Sequence, residues 1–411
     1  MVILNENRRG RGRVVTVNKT AVALLAGAAI LLGGAAVFAQ EHGHLPLPQI
    51  TFAAHPQPIP FELFRGNRIV IPARINGRET PVLLDTGASA TTVDKAFARS
   101  IGLPEGQNIQ ARGAGGFVDA EIVSGVTLEI HGMRFDKMTV AVMDLAPVAR
   151  SIGRPLNVIL GREFFNSAVV SIDWAKSQLR VASADNFRPA AGSASVELGK
   201  NGPFNTIPVS VAGAAPINAL LDVGNGGALS LPRTYWESRS ELTNLKSAGA
   251  MTGGVGGLHS ARAAIVPQVT LGGRTIAQVP TILSDSGNDN EPTQMANVGI
   301  ELLKQFSVDL DLGHDRIFLT ARTDAPPPAR DRAGVRFDFL GNGLKVVFVS
   351  PQGPAAAAGL KTGDEVTAVD GRSVGADYYR DADWTRGPAG RTVVLDRADG
   401  SHVRITLQDY F

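Results

Sequence analysis

One phrase occurs twice in this chain of 411 residues: Leu83-Leu84-Asp85-Thr86-Gly87-Ala88-Ser89, and again Leu220-Leu221-Asp222-Val223-Gly224-Asn225-Gly226. Two apolar residues run into an Asp and a Gly-containing turn, which puts a carboxylate at the mouth of a buried strand. The phrase sits inside a longer repeat. Upstream, Ile71-Pro72 and Gly77 return as Ile207-Pro208 and Gly213; downstream, Gly113-Ala114-Gly115-Gly116-Phe117 returns as Gly254-Val255-Gly256-Gly257-Leu258. A fourth block, Val158-Ile159-Leu160-Gly161-Arg162-Glu163-Phe164-Phe165, matches Ala296-Asn297-Val298-Gly299-Ile300-Glu301-Leu302-Leu303. Order is kept and the spacing between copies drifts by only a few residues, which argues for an internal duplication with small loop insertions. An Asp-Gly turn alone is ordinarily just a turn; the duplication is what lets two such loops face each other.

Short alternating runs such as Arg68-Ile69-Val70-Ile71 and Val126-Thr127-Leu128-Glu129-Ile130, bounded by Gly or Asn-Gly turns, predict strands, with helices few and short. Hydrophobic content of 44%, with 46 Gly and 24 Pro, suits a loop-rich, mainly β protein, and the length suggests two or three domains. Asp173 and Asp311 each precede a short turn between strand-like runs and read as hairpin residues.

The first 39 residues read as an export signal. Arg8, Arg9, Arg11, Arg13 and Lys19 precede an uncharged run from Ala21 to Phe38, and Val37-Phe38-Ala39 offers small residues for cleavage before Gln40. The same run is long enough to serve instead as an uncleaved inner-membrane anchor. Either way the product is exported, to the periplasm or cell envelope. The segment carries five basic residues and Glu6, so a formal charge of +2 for the whole chain leaves −2 for the rest. With no basic stripe, nucleic acid is not an expected partner. The absence of Cys excludes disulfides, thiol catalysis, thiolate metal sites and a lipid anchor on Cys. Residues 40–61 read as a flexible mature N-terminus, and its His42, His44 and His55 are assigned no metal.

Two carboxylates held a few ångströms apart cannot both ionise easily, so they hold one proton between them and titrate as a unit. Such a pair suits one member to act as base on water and the other as acid on a carbonyl oxygen. The repeated blocks resemble the aspartic proteases, specifically bacterial members of the retropepsin-like group fused in tandem. The resemblance covers roughly residues 62–322, and its first copy is the more complete. It implies a mainly β, bilobal domain of two β-barrel halves, 62–185 and 195–322, with Asp85 and Asp222 as the catalytic dyad. It further implies that Gly87 and Gly224 admit close turns, that Ser89 donates to the catalytic carboxylate, and that Thr86 braces the loops. Gly113, Ala114, Gly115, Gly116 and Phe117 would form a substrate-covering flap. The second copy departs from the pattern, since Val223 stands for the Thr and Gly226 for the Ser.

A Pro-rich linker, 323–332, leads to a second resemblance. The run Ser350-Pro351-Gln352-Gly353-Pro354-Ala355-Ala356-Ala357-Ala358-Gly359-Leu360-Lys361-Thr362-Gly363-Asp364-Glu365-Val366-Thr367-Ala368-Val369-Asp370-Gly371 resembles a bacterial PDZ domain, a small α+β unit over 333–411. That implies a peptide ligand, with the loop Gly341-Asn342-Gly343-Leu344 as the nest for its carboxylate; the alternative is a structural appendage without a free groove. The whole chain then reads as an exported aspartic-type endopeptidase acting on polypeptide, with no metal and no cofactor. Two alternatives stand beside it: a degenerate peptide-binding protein, and a protease active only as a dimer through paired Asp85 loops.

Overall fold

The structure, a computed structural model, describes residues 47–53, 56–285, 295–378 and 383–411. The export signal and the tract around His42, His44 and His55 lie outside the described residues.

Both halves are built on one strand arrangement. In the first, Arg78–Leu84 lies antiparallel to Arg68–Ile75 and parallel to Val158–Leu160, with Leu84 opposite Leu160. In the second, Ile217–Leu221 lies antiparallel to Phe204–Val211 and parallel to Ala296–Val298, with Leu221 opposite Val298. Val82, Leu83, Leu84, Val158, Ile159 and Leu160 are all buried, as strands covered on both faces must be, and so they read as unbroken apolar runs. The chain leaves each sheet one residue later. The Asp85 amide donates to the Leu160 carbonyl at 3.0 Å, and the Asp222 amide donates to the Val298 carbonyl at 3.0 Å. The repeated turn is therefore rooted at equivalent points of two like sheets.

A third, six-stranded sheet joins the halves. Its centre is Val169–Asp173 from the first half against Phe306–Asp311 from the second, antiparallel, with Val170 opposite Leu310. Val170, Ile172, Val308 and Leu310 belong to one core that runs through both halves; burying each such side chain is worth roughly 1.5–3 kcal/mol. The Trp174 indole N–H crosses the same seam to the Phe306 carbonyl at 2.8 Å. Asp173 and Asp311 serve their hairpins: Asp173 accepts from the Lys176 amide at 3.1 Å, and Asp311 takes Arg316 Nε at 2.7 Å.

The described part of residues 40–61 differs from the flexible segment expected. Gln49–Thr51 pairs with Met133–Met143, and Ile59–Pro60 pairs with Gln178–Ala182 at the edge of the shared sheet. Apolar residues scattered among the prolines hold it there. Ile59 is fully buried, and Phe61 meets Trp174 edge-on at 6.1 Å.

The C-terminal unit is a sheet in the order Val335–Phe339, Leu344–Val349, Glu365–Val369, Thr392–Arg397, His402–Thr406, with a short helix Pro354–Ala357. Pro354 opens the helix, and Gly359, at φ 82°, turns the chain away from it. The unit has its own core around Leu344, Val346, Val366, Leu395 and Ile405, which Phe64 and Val70 of the first half join. The Pro-rich linker is fastened to the second half. Gln305 Nε2 donates to the Pro326 carbonyl at 2.7 Å, and the Ala329 amide donates to Glu301 at 3.2 Å. Among the described residues no helix is long and apolar enough to cross a membrane.

Candidate active site

Asp85 and Asp222 face each other across the seam, and two glycines set how closely. A Cβ added to Gly87 would lie 2.7 Å from Asp222 Cγ, and one added to Gly224 would overlap the Asp85 carboxyl. Each loop passes so near the opposite side chain that only a hydrogen fits there. The two carboxyls are thereby brought close enough for each to feel the other. Asp85 also accepts from the Gly87 amide at 2.8 Å; Asp222 accepts from the Asn225 amide at 2.9 Å and from Asn297 Nδ2 at 2.7 Å. Burial, and then the charge of Asp222, push the Asp85 carboxyl well above the usual carboxylate range, against a smaller downward pull from Gly87 and Arg68.

The brace between the loops is one-sided. Thr86, buried, donates its hydroxyl to the Leu221 carbonyl at 2.7 Å and accepts from the Val223 amide at 3.0 Å. Val223, its counterpart, is fully buried but brings no hydroxyl. Compensation comes from the strand behind. Asn297 occupies the position that Ile159 holds in the first half, and it orients Asp222 while accepting from Asn225 Nδ2 at 2.8 Å. Neither residue was singled out from the sequence, although an Asn in an otherwise apolar strand was the available signal.

Gly226 also has a structural reason. A Cβ there would collide with the Arg68 guanidinium and lie 2.6 Å from Asn67 Nδ2, while Asn67 holds the Gly226 carbonyl at 2.9 Å. In the first half, Ser89 is exposed, and among the described residues it makes no hydrogen bond to Asp85. The second loop lacks the serine because an arginine from the other half fills its place.

The glycine-rich hairpins of the two halves meet at their tips. The first hairpin, Gln107–Gly113 with Gly116–Ile130, turns at Ala114-Gly115; the second, Ser247–Gly254 with Gly257–Leu271, turns at Val255-Gly256. The Gly115 amide donates to the Val255 carbonyl at 2.8 Å, and a Cβ on Gly115 would run into the backbone of Gly256 and Gly257. Phe117 stands 61% exposed, with the Arg112 guanidinium 5.3 Å over its ring.

The C-terminal unit docks on the second loop. Arg386 Nη2 donates to the Gly226 carbonyl at 3.2 Å and Nη1 reaches Glu301 at 3.2 Å. Arg336 donates to the Met251 carbonyl at 3.2 Å and to Ser151 Oγ at 2.8 Å, so it ties that unit to both halves. Asp383 pairs with Arg65 at 3.4 Å and Arg386 at 3.3 Å; burial pushes its carboxyl up, but these two cations together hold it below the usual range. Gly341, Asn342, Gly343 and Leu344 lie at the turn between Val335–Phe339 and Leu344–Val349, closed by the Leu340 amide on the Gly343 carbonyl at 2.8 Å. Gly334, Val335, Arg336 and Phe337 of this unit line a cavity shared with the second loop, 225–230. Among the described residues no group of His, Asp and Glu could hold a metal ion.

Replacing Thr86 by Val leaves the Leu221 carbonyl and Val223 amide buried without a partner, and is expected to lower stability by about 1–3 kcal/mol in urea denaturation. Adding Val223→Thr, whose two-fold-equivalent acceptor is the Leu84 carbonyl, is expected to recover part of that loss. Gly226→Ser should destabilise by about 1–3 kcal/mol in the same measurement, because Arg68 must be displaced; an unchanged midpoint would contradict the close approach.

Residues 71–164, which include the Asp85 loop and the first flap, match the family model of the aspartyl proteases, and residues 346–396 match that of a PDZ domain. No curated protein matches the chain significantly. The chain carries an aspartyl protease domain followed by a C-terminal PDZ domain.

Proposed function

We propose that the protein is an aspartic-type endopeptidase in which Asp85 and Asp222, from the two halves of one chain, act as the catalytic dyad. The observation that carries this reading is the approach of each glycine turn to the opposite carboxyl, with each Asp rooted at the end of an equivalent strand. Asp85 holds the proton of the pair, as burial beside another carboxylate requires. Asp222, held by Asn225 and Asn297, takes a proton from a water between the carboxyls as that water attacks the scissile carbonyl carbon. Asp85 gives its proton to the carbonyl oxygen. The resulting gem-diol collapses as a proton passes to the amide nitrogen, the C–N bond breaks, and the dyad ends with one proton again. The glycine-tipped flaps enclose an extended polypeptide over this floor. Export rests on the pattern of residues 1–39, and peptide capture by the PDZ domain rests on its edge strand, Val335–Phe339.

Asp85→Asn and Asp222→Asn are each expected to lower kcat/KM on an unfolded-protein substrate by on the order of 10²–10⁴-fold. Full activity in Asp222→Asn would overturn the intramolecular dyad. The dependence on pH has a definite sign. Because the Asp85 carboxyl is raised above its ordinary value of 3.8, its protonated form contributes stability that is complete below 3.8 and is lost as pH rises through the raised value. Activity should fall over that same rise. Thermal unfolding across pH should therefore show a decline in the wild type that Asp85→Asn flattens.

A further inference from the structure

One cavity lies between the second catalytic loop and the PDZ domain. It encloses about 320 Å³ and is bounded by the second catalytic loop (225–230), the second flap strand (249–253), the PDZ edge at Val335–Phe337 and the segment 383–386. Its wall is rich in cations: Arg65, Arg68, Arg330, Arg336 and Arg386 line it, against Asp331 and Asp383. Most of these charges are committed. Arg65 and Arg386 share Asp383, Arg386 also takes Glu301, and Arg330 takes Asp409 at 3.1 Å. Arg68 differs. Its Nη1 donates to the Asn67 carbonyl at 2.8 Å, and among the described residues no carboxylate lies within ion-pair distance of it. Burial, together with repulsion from Arg386 and Arg65 and against a smaller upward pull from Asp222 and Asp85, lowers the Arg68 pKa to about 10, so it remains a cation at neutral pH. A half-buried guanidinium that faces a cavity with no carboxylate in direct contact gains from an anion joining it, and its planar fork suits a carboxylate.

We propose that Arg68 is a specificity-determining residue, and that the cavity between the second catalytic loop and the PDZ edge strand binds a carboxylate of the polypeptide substrate. This rests on the proteolytic reading above, since it assigns a subsite beside that dyad. Gly226 is what opens the subsite: lacking a Cβ, it leaves room for the Arg68 guanidinium. The edge strand offers the substrate backbone an antiparallel partner along the same cavity. The carboxylate is either an acidic side chain near the scissile bond or the C-terminus of the chain being cut.

The test uses three short peptides of one sequence: one with Glu flanking the expected scissile bond and an amidated C-terminus, one with Gln at that position and amidated, and one with Gln and a free C-terminus. Affinity is measured by fluorescence anisotropy on the full chain carrying Asp85→Asn, and cleavage is measured on the wild type. We expect the Glu or the free-carboxylate peptide to be preferred over the neutral amide by about tenfold or more, as a charge-assisted hydrogen bond supplies. Preference for the Glu peptide identifies a side-chain carboxylate; preference for the free terminus identifies a C-terminal one. Arg68→Gln should bring the preference ratio to about one, and Arg68→Lys should keep part of it. If Arg68→Gln does not fold, the peptide comparison on the Asp85→Asn chain still decides. Cleavage without discrimination among the peptides overturns the subsite and leaves the protease reading standing. Discrimination in binding without cleavage of any peptide does the reverse.

Discussion

Two carboxyl groups in contact repel unless they share a proton, and at about 4 Å in a protein interior the repulsion of two full charges is on the order of 4 kcal/mol. A chain that keeps Asp85 against Asp222 must therefore resist that force with structure stiffer than a pair of loops. Here the stiffness comes from the seam. Val170 opposite Leu310 and Trp174 on Phe306 lock one half to the other, and each Asp begins where a buried parallel strand pair ends. The Thr86 hydroxyl clasps the loops to each other, with one bond to each side of the second loop's entry. A proton kept on Asp85 would remove most of the repulsion, and the raised Asp85 carboxyl follows from the same closeness to Asp222.

Much of the mainly β architecture was legible from residue order alone, because strand ends, glycine turns and apolar runs are local signals that repeat. The two aspartates and their glycines were legible for the same reason. What surrounds them was not. Asn297 supports Asp222 from a strand 75 residues away, and Arg68 fills the space beside Gly226 from the opposite half of the chain. No periodicity marks such contacts, since they are created only when the halves close on each other. Gly226 reads as an erosion of the first copy until Arg68 is seen in its place. The N-terminal strands were missed for a different reason: in a stretch dominated by proline, the few residues that anchor it, Ile59 and Phe61, are outnumbered by residues that signal a loop.

The halves diverge where their neighbours differ. Glu163 in the first half accepts from the Thr91 amide at 2.8 Å and its hydroxyl at 3.1 Å, tying the strand after the Asp85 loop to the helix behind it. Glu301 is its counterpart in the repeat, equally buried, yet it takes Lys304, Arg386 and the Ala329 amide. One carboxylate serves its own half, and the other receives the PDZ domain and its linker.

That exchange explains why the second loop could lose its polar residues without losing its shape. The second loop, without the Thr and Ser of its twin, keeps its own turn bonds through Asp222 and Asn225 and is also held from outside. Asn67 and Arg386 both donate to the Gly226 carbonyl, one from the first half and one from the PDZ domain, and Asn297 holds the carboxyl itself. The geometry of Asp222 thus depends on contacts that span the whole chain, whereas that of Asp85 depends mostly on its own loop. A movement of the PDZ domain relative to the protease domain would act first on Gly226, four residues from Asp222, and through that loop on one member of the dyad only.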